Sequence, residues 1–212
     1  LDLCAGPGGK TALLAAEALA GGARLVANEL VPARAELVRA AIAGVPIEVE
    51  VHVGDGRELD LVALGAPGGF DRILLDAPCT GLGALRRRPE ARWRKAPSDV
   101  AELTKLQGEL FDAAVRALRP GGILAYITCS PHNAETQGTL AAALERWDGT
   151  VEQLDTRAVV EGVSRHPLDL AGDASTVQLW PHRHGTDAMF IALVRKGDAA
   201  ATASSETAAS AR

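Results

Sequence analysis

The chain has 212 residues, with 22 lysines and arginines against 27 aspartates and glutamates, which gives a formal net charge of −5. It is 47% hydrophobic and 23% charged, a balance that supports one sizeable core and excludes a disordered chain. Three cysteines are too few for a disulfide scaffold, and no apolar run approaches the roughly 18 residues of a membrane span. The acidic balance excludes a domain that holds nucleic acid by bulk charge alone, so such a contact needs a local patch.

Strand-like and helix-like segments alternate along the chain. Strands are predicted where short apolar or alternating runs occur, at 1–4, 24–28, 47–53, 70–76, 123–128 and 188–194. Helices are predicted between them, at 11–19, around 32–42, at 99–118 after a capping box of Asp99 and Glu102, and at 134–147. This alternation is typical of βαβ units. It predicts an α/β fold with a mostly parallel central sheet and helices on both faces.

The two ends of the chain carry separate expectations. The sequence begins with Leu1 inside an apolar stretch and shows no signal peptide. We expect the C-terminal part of a longer protein, with one catalytic domain over 1–196 whose first strand has lost residues. The segment 197–212 is rich in alanine, serine and threonine without apolar periodicity, and we expect it to be a disordered tail.

The residues that could carry chemistry follow the predicted strands. A glycine loop at 5–10 follows the first strand, and Glu29 and Asp55 follow the second and third. The segment 76–79 follows the fourth strand, and Cys129 follows the fifth. Because ligands bind at the carboxyl ends of parallel strands, these residues predict one site at that end of the sheet.

The glycine loop matches neither of two common nucleotide-binding motifs. A P-loop requires glycine where Cys4 stands, and the dinucleotide pattern requires it where Thr11 stands. A glycine-rich turn remains, with Glu29 placed 20 residues after Gly9. A carboxylate there can accept hydrogen bonds from both hydroxyls of a ribose, which favours S-adenosylmethionine over a pyrophosphate. A tight turn without a ligand would leave the same pattern.

Cys79 and Cys129 are the candidate nucleophiles. Neither belongs to a Cys-x-x-Cys pair, and Cys129 with His132 has no second pair at ligand spacing, so no metal site is expected. A single buried cysteine is commonly a small apolar side chain. Two cysteines at strand ends beside a cofactor loop favour a catalytic role.

Four ordered motifs resemble the Nol/Nop/Sun family of S-adenosylmethionine-dependent RNA cytosine-5 methyltransferases. They are LCAGPGGKT at 3–11, DGR at 55–57, DAPCTGLG at 76–83 and TCS at 128–130. The segment 70–145 is most similar to the RsmB/Sun type, which modifies small-subunit ribosomal RNA. The resemblance covers nearly all of 1–196. It departs at Gly6, where alanine is usual, at Glu29, where aspartate is commoner, and at 187–190, which reads DAMF instead of DGFF.

The resemblance implies a Rossmann-like class I methyltransferase fold and a role for each motif residue. The thiolate of Cys129 would add to the 6-carbon of cytosine so that the 5-carbon can take a methyl group. Cys79 would serve product release, although the residues alone do not rank the two cysteines, and Asp76 would bond the cytosine edge. The implied S-adenosylmethionine contacts are Cys4, Ala5, Gly6, Pro7, Gly8, Gly9, Lys10, Glu29, Asp55 and Asp76. Acidic residues at strand ends are also often merely solvated.

A basic run at 86–95 carries six positive charges and one negative charge. With Trp93 inside it, the run predicts phosphate contacts and stacking on RNA, although charge runs are often only solvated. The target base has to leave its stack, so an unpaired RNA segment is expected.

The sequence therefore predicts an enzyme that methylates the 5-position of cytosine in 16S ribosomal RNA. Two alternatives stay open: the same chemistry on transfer RNA, and a catalytically silent RNA-binding module with this fold. We expect a cytoplasmic monomer with RNA as its partner, without a metal or a membrane contact. The resemblance also implies an upstream RNA-binding region with a NusB-like helical domain outside this sequence.

Overall fold

A computed structural model describes residues 1–171 and 175–198 of the chain. The helices are α1 (Gly9–Gly21), α2 (Pro32–Ile42), α3 (Pro97–Ala117), α4 (Gln137–Arg146), α5 (Thr156–Val163) and α6 (Pro181–His184). The strands are β1 (Leu25–Glu29), β2 (Val49–Val53), β3 (Phe70–Asp76), β4 (Leu118–Thr128), β5 (Val151–Gln153), β6 (Val177–Leu179) and β7 (Met189–Lys196). Short 3₁₀ turns lie at Leu82–Ala84, Pro89–Trp93 and Asn133–Glu135.

The sheet is mixed, with parallel strands in its first part and antiparallel strands in its second. β1 pairs with β2 and β3 pairs with β4 in parallel. Asp2 forms parallel bridges to Ala27 of β1 and Leu74 of β3, so the strand predicted at 1–4 is reduced to these bridges. β7 runs antiparallel to β4, β5 and β6. The α/β prediction is confirmed, and the prediction of a mostly parallel sheet holds only for the half that includes β1 to β4.

Helices cover both faces of the sheet. Val26 of β1 belongs to the main core cluster, together with Phe111 of α3 and Leu140 of α4. Its neighbour Ala27 packs instead with Val38 of α2. Because successive residues of a strand point to opposite faces, α3 and α4 lie on one face and α2 on the other.

Helix starts differ from the predicted ones at two places. The capping box predicted at Asp99 is wrong, because α3 already begins at Pro97 and the Asp99 carboxylate accepts from the backbone N–H of Ala96 at 3.1 Å. Proline suits that first position because its φ is preset and its missing N–H is not needed there. The helix predicted at 134–147 begins instead as a 3₁₀ turn, and α4 starts at Gln137.

The last part of the chain was not predicted in detail. β5, α5, β6 and α6 were missed, and they fill the interval before β7. Of the tail predicted at 197–212, only Gly197 and Asp198 belong to the described residues; the remainder lies outside them. Within the described ranges, no helix combines the length and the apolar character that crossing a membrane requires.

Candidate active site

The two candidate cysteines meet at the carboxyl end of the sheet. Cys79 follows β3 and Cys129 follows β4, and these strands are parallel neighbours, so their ends lie side by side. The two sulfur atoms are 3.4 Å apart, within hydrogen-bonding distance for a thiol and a thiolate. Both cysteines are free and half-buried. The loops therefore bring together a pair that can share one proton.

The hydrogen bond between the two thiols shifts their pKa values in opposite directions. The pKa of Cys129 is lowered to about 7, chiefly because the Cys79 thiol donates a hydrogen bond to it. Burial and the Asp76 carboxylate oppose this shift, and the Lys10 ammonium supports it. The pKa of Cys79 is raised, first by the same hydrogen bond and then by burial. Cys129 is therefore the member of the pair that ionises first.

Lys10 and Asp76 form an ion pair beside the cysteines. Lys10 lies in the first turn of α1 and Asp76 ends β3, and Nζ lies 2.6 Å from Oδ2. Their side chains are 40% and 28% exposed, so both remain reachable by a ligand. Lys10, an implied S-adenosylmethionine contact, thus lies against Asp76 and near Cys129.

A buried carboxylate that the sequence analysis missed fixes both cysteine loops. Glu135 has no exposed surface, and its oxygens accept from the Thr80 N–H at 2.7 Å, the Thr80 hydroxyl at 2.5 Å and the Ser130 hydroxyl at 2.6 Å. Thr80 directly follows Cys79 and Ser130 directly follows Cys129. A charged acceptor makes each of these bonds stronger than a neutral one. Glu135 thereby ties the two nucleophile candidates into one rigid unit.

A second layer of hydrogen bonds extends this unit to α3. Gln107 of α3 donates to the carbonyl of Pro78 at 2.9 Å and to Glu135 at 3.3 Å. The Tyr126 hydroxyl donates to the Glu135 carbonyl at 2.8 Å. One signal in the sequence could have pointed to this layer, because Gln107 is a polar residue within the apolar face of the predicted helix.

The glycine loop packs against α2 and against Glu29. Gly8 has φ +104°, and a Cβ there would lie 2.8 Å from the Cα of Val38. A Cβ on Gly6 would overlap the Glu29 carboxylate. That carboxylate is only 3% exposed and accepts from the N–H of Gly6 at 2.8 Å and of Val31 at 3.0 Å. Glycine is therefore required at position 8, and Gly6 lets the loop approach the predicted ribose-binding residue closely.

The residues around this loop fit S-adenosylmethionine. Buried side-chain oxygens of Asp2 and Asn28 have no hydrogen-bond partner in the described part of the chain. The first N–H groups of α1 lack intrahelical acceptors and can bind a carboxylate, and the space in front of Gly9 is open. Acceptors for a ribose and donors for a carboxylate thus lie around one loop.

The pKa of Cys4 depends on the charges around the glycine loop. The pKa of Cys4 is raised to about 12, chiefly by burial and in addition by the carboxylates of Asp2, Glu29 and Asp76. Cys4 therefore stays a neutral thiol and is unsuited to be the nucleophile. The Arg34 guanidinium opposes these carboxylates but acts on Cys4 less than each of them, so the loop favours a cationic ligand such as a sulfonium.

Asp55 lies at the same end of the sheet, but its carboxylate is already engaged. It accepts from the N–H and the guanidinium of Arg57, with Nη2 at 2.6 Å, and Arg57 also binds Glu109 at 2.8 Å. Hydrogen bonds from Arg57 lower the pKa of Asp55. The structure therefore places Asp55 in an ion-pair network with Arg57 and Glu109, and its contact with S-adenosylmethionine stays a prediction.

The basic run is partly neutralised. Arg86 and Arg87 both bind the Asp187 carboxylate, the Arg86 Nε at 2.9 Å, and Arg87 is the chief cause of the lowered pKa of Asp187. The cations of the run that have no acidic partner among the described residues are Arg88, Arg92, Arg94 and Lys95. Trp93 is 83% exposed. Within the described ranges, no three His, Cys, Asp or Glu side chains are grouped to hold a metal ion.

Known proteins are similar in sequence to this chain over most of its length. The family model described as 16S rRNA methyltransferase RsmB/F matches residues 1–195. A protein of Mycobacterium tuberculosis named as a methyltransferase is 57% identical over 196 residues, which cover 92% of this chain and 40% of that protein. Ribosomal RNA small subunit methyltransferase B of Sodalis glossinidius is 39% identical over 173 residues, 82% of this chain and 39% of that protein. The chain thus spans about two fifths of these relatives.

Solved structures share the fold. PH0851 superposes with a TM-score of 0.78 at 31% identity, covering 91% of this chain and 41% of that one. NSun6 from Pyrococcus horikoshii, solved with SFG, gives 0.74 at 29% identity, with 92% and 47% covered. These similarities confirm the predicted Rossmann-like methyltransferase fold.

Proposed function

The chain belongs to the family described as 16S rRNA methyltransferase RsmB/F, as its motifs predicted, and from this membership we propose that it methylates the 5-carbon of a cytosine in 16S ribosomal RNA. S-adenosylmethionine is the cofactor. One observation carries the proposal: the Cys79 and Cys129 sulfur atoms lie 3.4 Å apart, with the lower pKa on Cys129. An ionised thiol beside a second, protonated thiol suits covalent catalysis on a pyrimidine.

The chain offers separate groups for the cofactor and the base. S-adenosylmethionine supplies a methyl group carried on a positively charged sulfur. Glu29 would hold its ribose, the first N–H groups of α1 its carboxylate, and the negative surroundings of Cys4 would favour its cationic centre. Asp76 and Lys10 are left between this loop and the cysteines, where they can bond the edge of the cytosine.

Covalent attack makes the 5-carbon reactive. The Cys129 thiolate forms a bond to the 6-carbon, and the electron pair of the 5,6 double bond moves toward the 5-carbon. The 5-carbon would use that pair to bond the methyl group, while the electron pair of the broken sulfur–methyl bond would stay on the donor sulfur. Loss of the proton from the 5-carbon then restores the double bond, and the bond between the 6-carbon and Cys129 breaks with its electron pair returning to sulfur.

The thiol pair suggests how release is timed. Cys79 keeps its proton while Cys129 is ionised, because the hydrogen bond between them raises the pKa of Cys79. When Cys129 bonds to the cytosine, its sulfur loses the negative charge that accepts the hydrogen bond from Cys79. The largest cause of the raised pKa of Cys79 is then lost, which favours a part for Cys79 in proton removal only after the covalent bond has formed.

The unpaired part of the basic run supports RNA as the substrate. Arg88, Arg92, Arg94 and Lys95 lie together on a short segment that follows the Cys79 loop. Arginine and lysine contact phosphate oxygens, and the exposed Trp93 can stack on a base. These contacts would be local, in agreement with the overall net charge of −5.

The test uses the full-length protein, labelled S-adenosylmethionine and unmodified transcripts of 16S ribosomal RNA and of transfer RNA. We expect methylation of the ribosomal transcript, located by bisulfite sequencing, and a loss of about 10³-fold or more in Cys129→Ala. Cys79→Ala should accumulate a covalent protein–RNA adduct on a denaturing gel. Cofactor binding by calorimetry should stay unchanged within about twofold in both variants, which separates chemistry from misfolding.

Three results would overturn the proposal. Methylation of transfer RNA alone would show that transfer RNA, and not ribosomal RNA, is the substrate. An active Cys129→Ala beside an inactive Cys79→Ala would show that Cys79 is the nucleophile. Cofactor binding without methyl transfer to either RNA would leave a catalytically silent module.

A further inference from the structure

A large cavity lies next to the cysteine loops and has no role in the chemistry above. Its volume is about 910 Å³, within the range of about 300–1,000 Å³ that ligand sites occupy. Thr80 from the Cys79 loop and His132 from the Cys129 loop form one side. The first turns of α3 form another side, with Val100 and Ala101. The cavity therefore adjoins the loops that would hold the target cytosine.

The lining joins an apolar wall to a cationic rim. Val100, Ala101 and Leu82 supply carbon surface, and Arg92 and Lys95 supply positive charge. Neither cation has an acidic partner in the part of the chain that the structure describes. An apolar wall suits the face of a nucleobase, and unpaired cations suit its phosphate.

We propose that this cavity binds the nucleotide next to the target cytosine in the RNA chain. The base packs against Val100 and Ala101, and the phosphate faces Arg92 and Lys95. The inference rests on the proposed function, because the target base itself is assigned to the cysteines. It goes further in giving the enzyme a second nucleotide site, so that recognition of the sequence around the cytosine becomes a property of this chain.

One side of the cavity, formed by Thr80 and His132, is held by the hydrogen bonds that fix the cysteines. Thr80 is held by Glu135 through its N–H and its hydroxyl, and the N–H of His132 donates to the Ser130 hydroxyl at 3.1 Å. The His132 Nδ1 accepts from the N–H of Ala134 at 3.2 Å, which leaves the other ring nitrogen to donate to a ligand. A nucleotide bound here would therefore be held in a fixed position relative to Cys129.

Direct RNA binding tests the cavity independently of catalysis. The full-length protein is titrated into a fluorescently labelled single-stranded RNA of about 12 nucleotides with one central cytosine, a length comparable with common single-strand sites. Val100→Asp places a negative charge in the cavity, and aspartate is compatible with the first turns of a helix. We expect a Kd about tenfold higher. Val163→Asp is the control for the added charge, because Val163 is 79% exposed on α5 and does not line the cavity, and it should change the Kd by less than about twofold.

A second measurement asks whether a base occupies the site. Removing the base on one side of the cytosine should raise the Kd of the unmodified protein about fivefold at one of the two positions. Ala101→Trp fills the cavity, so this variant should bind the intact and the abasic RNA equally. The comparison of intact with abasic RNA uses the unsubstituted protein, so misfolding of a variant cannot affect its result.

Several outcomes would overturn the inference. Equal Kd values for Val100→Asp and Val163→Asp would do so, as would abasic RNAs that bind like the intact one. Hydrogen exchange over the first turns of α3 that is equally slow with and without RNA would show that another protein segment covers the cavity. Methyl transfer is measured separately: its absence beside cavity-dependent RNA binding would overturn the proposed function and leave this site standing.

Discussion

Cys4 and Cys129 follow neighbouring parts of one sheet at the same end, and each is half-buried, yet their surroundings shift the two thiols in opposite directions. The pKa of Cys4 is raised to about 12, with three carboxylates adding to the effect of burial. The pKa of Cys129 is lowered to about 7 by the thiol of Cys79, with help from Lys10. Burial alone would raise both. The charges and donors that line each thiol therefore decide which cysteine can react.

This contrast divides the site into two halves with different tasks. The half around Cys4 is negative and keeps its thiol neutral, which suits a cationic methyl donor. The half around Cys129 contains a donor thiol and an ammonium, which suits an anionic nucleophile. Lys10 and Asp76 lie between the halves: the Asp76 carboxylate raises the pKa of both thiols, and the Lys10 ammonium lowers that of Cys129.

Outside the cysteine pair, Asp76 offers the largest expected effect, because its carboxylate lies where the two halves meet. Asp76→Asn removes the partner of Lys10 and the proposed contact to the cytosine edge. We expect kcat for methyl transfer to fall about 10²–10³-fold, the size of effect found when one preorganised polar contact to a transition state is lost. Asp71→Asn, on the exposed side of β3, is the matched control and should keep its activity within about twofold. Equal activities of the two variants would show that Asp76 has no part in the reaction.

Glu135 tests whether the Cys129 half depends on buried hydrogen bonds. Glu135→Gln places an amide N–H₂ against donors and removes the charge from bonds to Thr80 and Ser130. Losing these charge-assisted bonds should lower the free energy of unfolding by about 3 kcal/mol, roughly a hundredfold in the folding equilibrium. Chemical denaturation of the full-length protein measures the change. Glu109→Gln on the surface of α3 should stay within about 0.5 kcal/mol, and a similar result for Glu135→Gln would contradict the network.

Substitutions of Lys10 test whether its ammonium affects the pH dependence of activity. Activity should rise as pH increases through about 7, because the reactive thiolate of Cys129 forms over that range. Lys10→Met removes a charge that lowers this pKa, so the rise should move to higher pH and the rate at pH 7 should fall about tenfold. Lys10→Arg keeps the charge and should keep the position of the rise. A pH profile that is the same in Lys10→Met would show that the ammonium does not act on Cys129.

Cys4 should give the smallest effect. Cys4→Ser keeps a small neutral side chain, so we expect the KM for S-adenosylmethionine to change by about threefold and kcat for methyl transfer to change less. Steady-state kinetics at saturating RNA measures both. A loss comparable with that of Cys129→Ala would contradict the division of the site into two halves.

Much of the site could be predicted because its parts follow strands with clear sequence patterns. The apolar run at 70–76 predicted β3 with the bounds that the structure has. Residues 123–128 predicted the end of β4, although that strand begins at Leu118. Since parallel neighbours end side by side, the meeting of Cys79 and Cys129 follows from these two patterns and the parallel pairing.

The remaining features depend on contacts that leave no local pattern. Glu135 lies in a stretch that was predicted as continuous helix, and nothing in that periodicity marks a buried carboxylate. The pairing of Arg86 and Arg87 with Asp187 joins residues 100 or more positions apart. The antiparallel direction of β7 is set by its pairing with β4 and not by its own composition.

Alkylation of the three cysteines at a series of pH values tests whether Cys129 is the thiol that ionises most readily. The full-length protein, free of RNA, is treated briefly with iodoacetamide, and initial rates at each cysteine are read by mass spectrometry. We expect Cys129 to react first, with a midpoint near pH 7, and Cys4 and Cys79 to stay slow throughout the neutral range. Faster reaction at Cys79, or a Cys129 that reacts only above about pH 9, the ordinary value for a thiol, would contradict it.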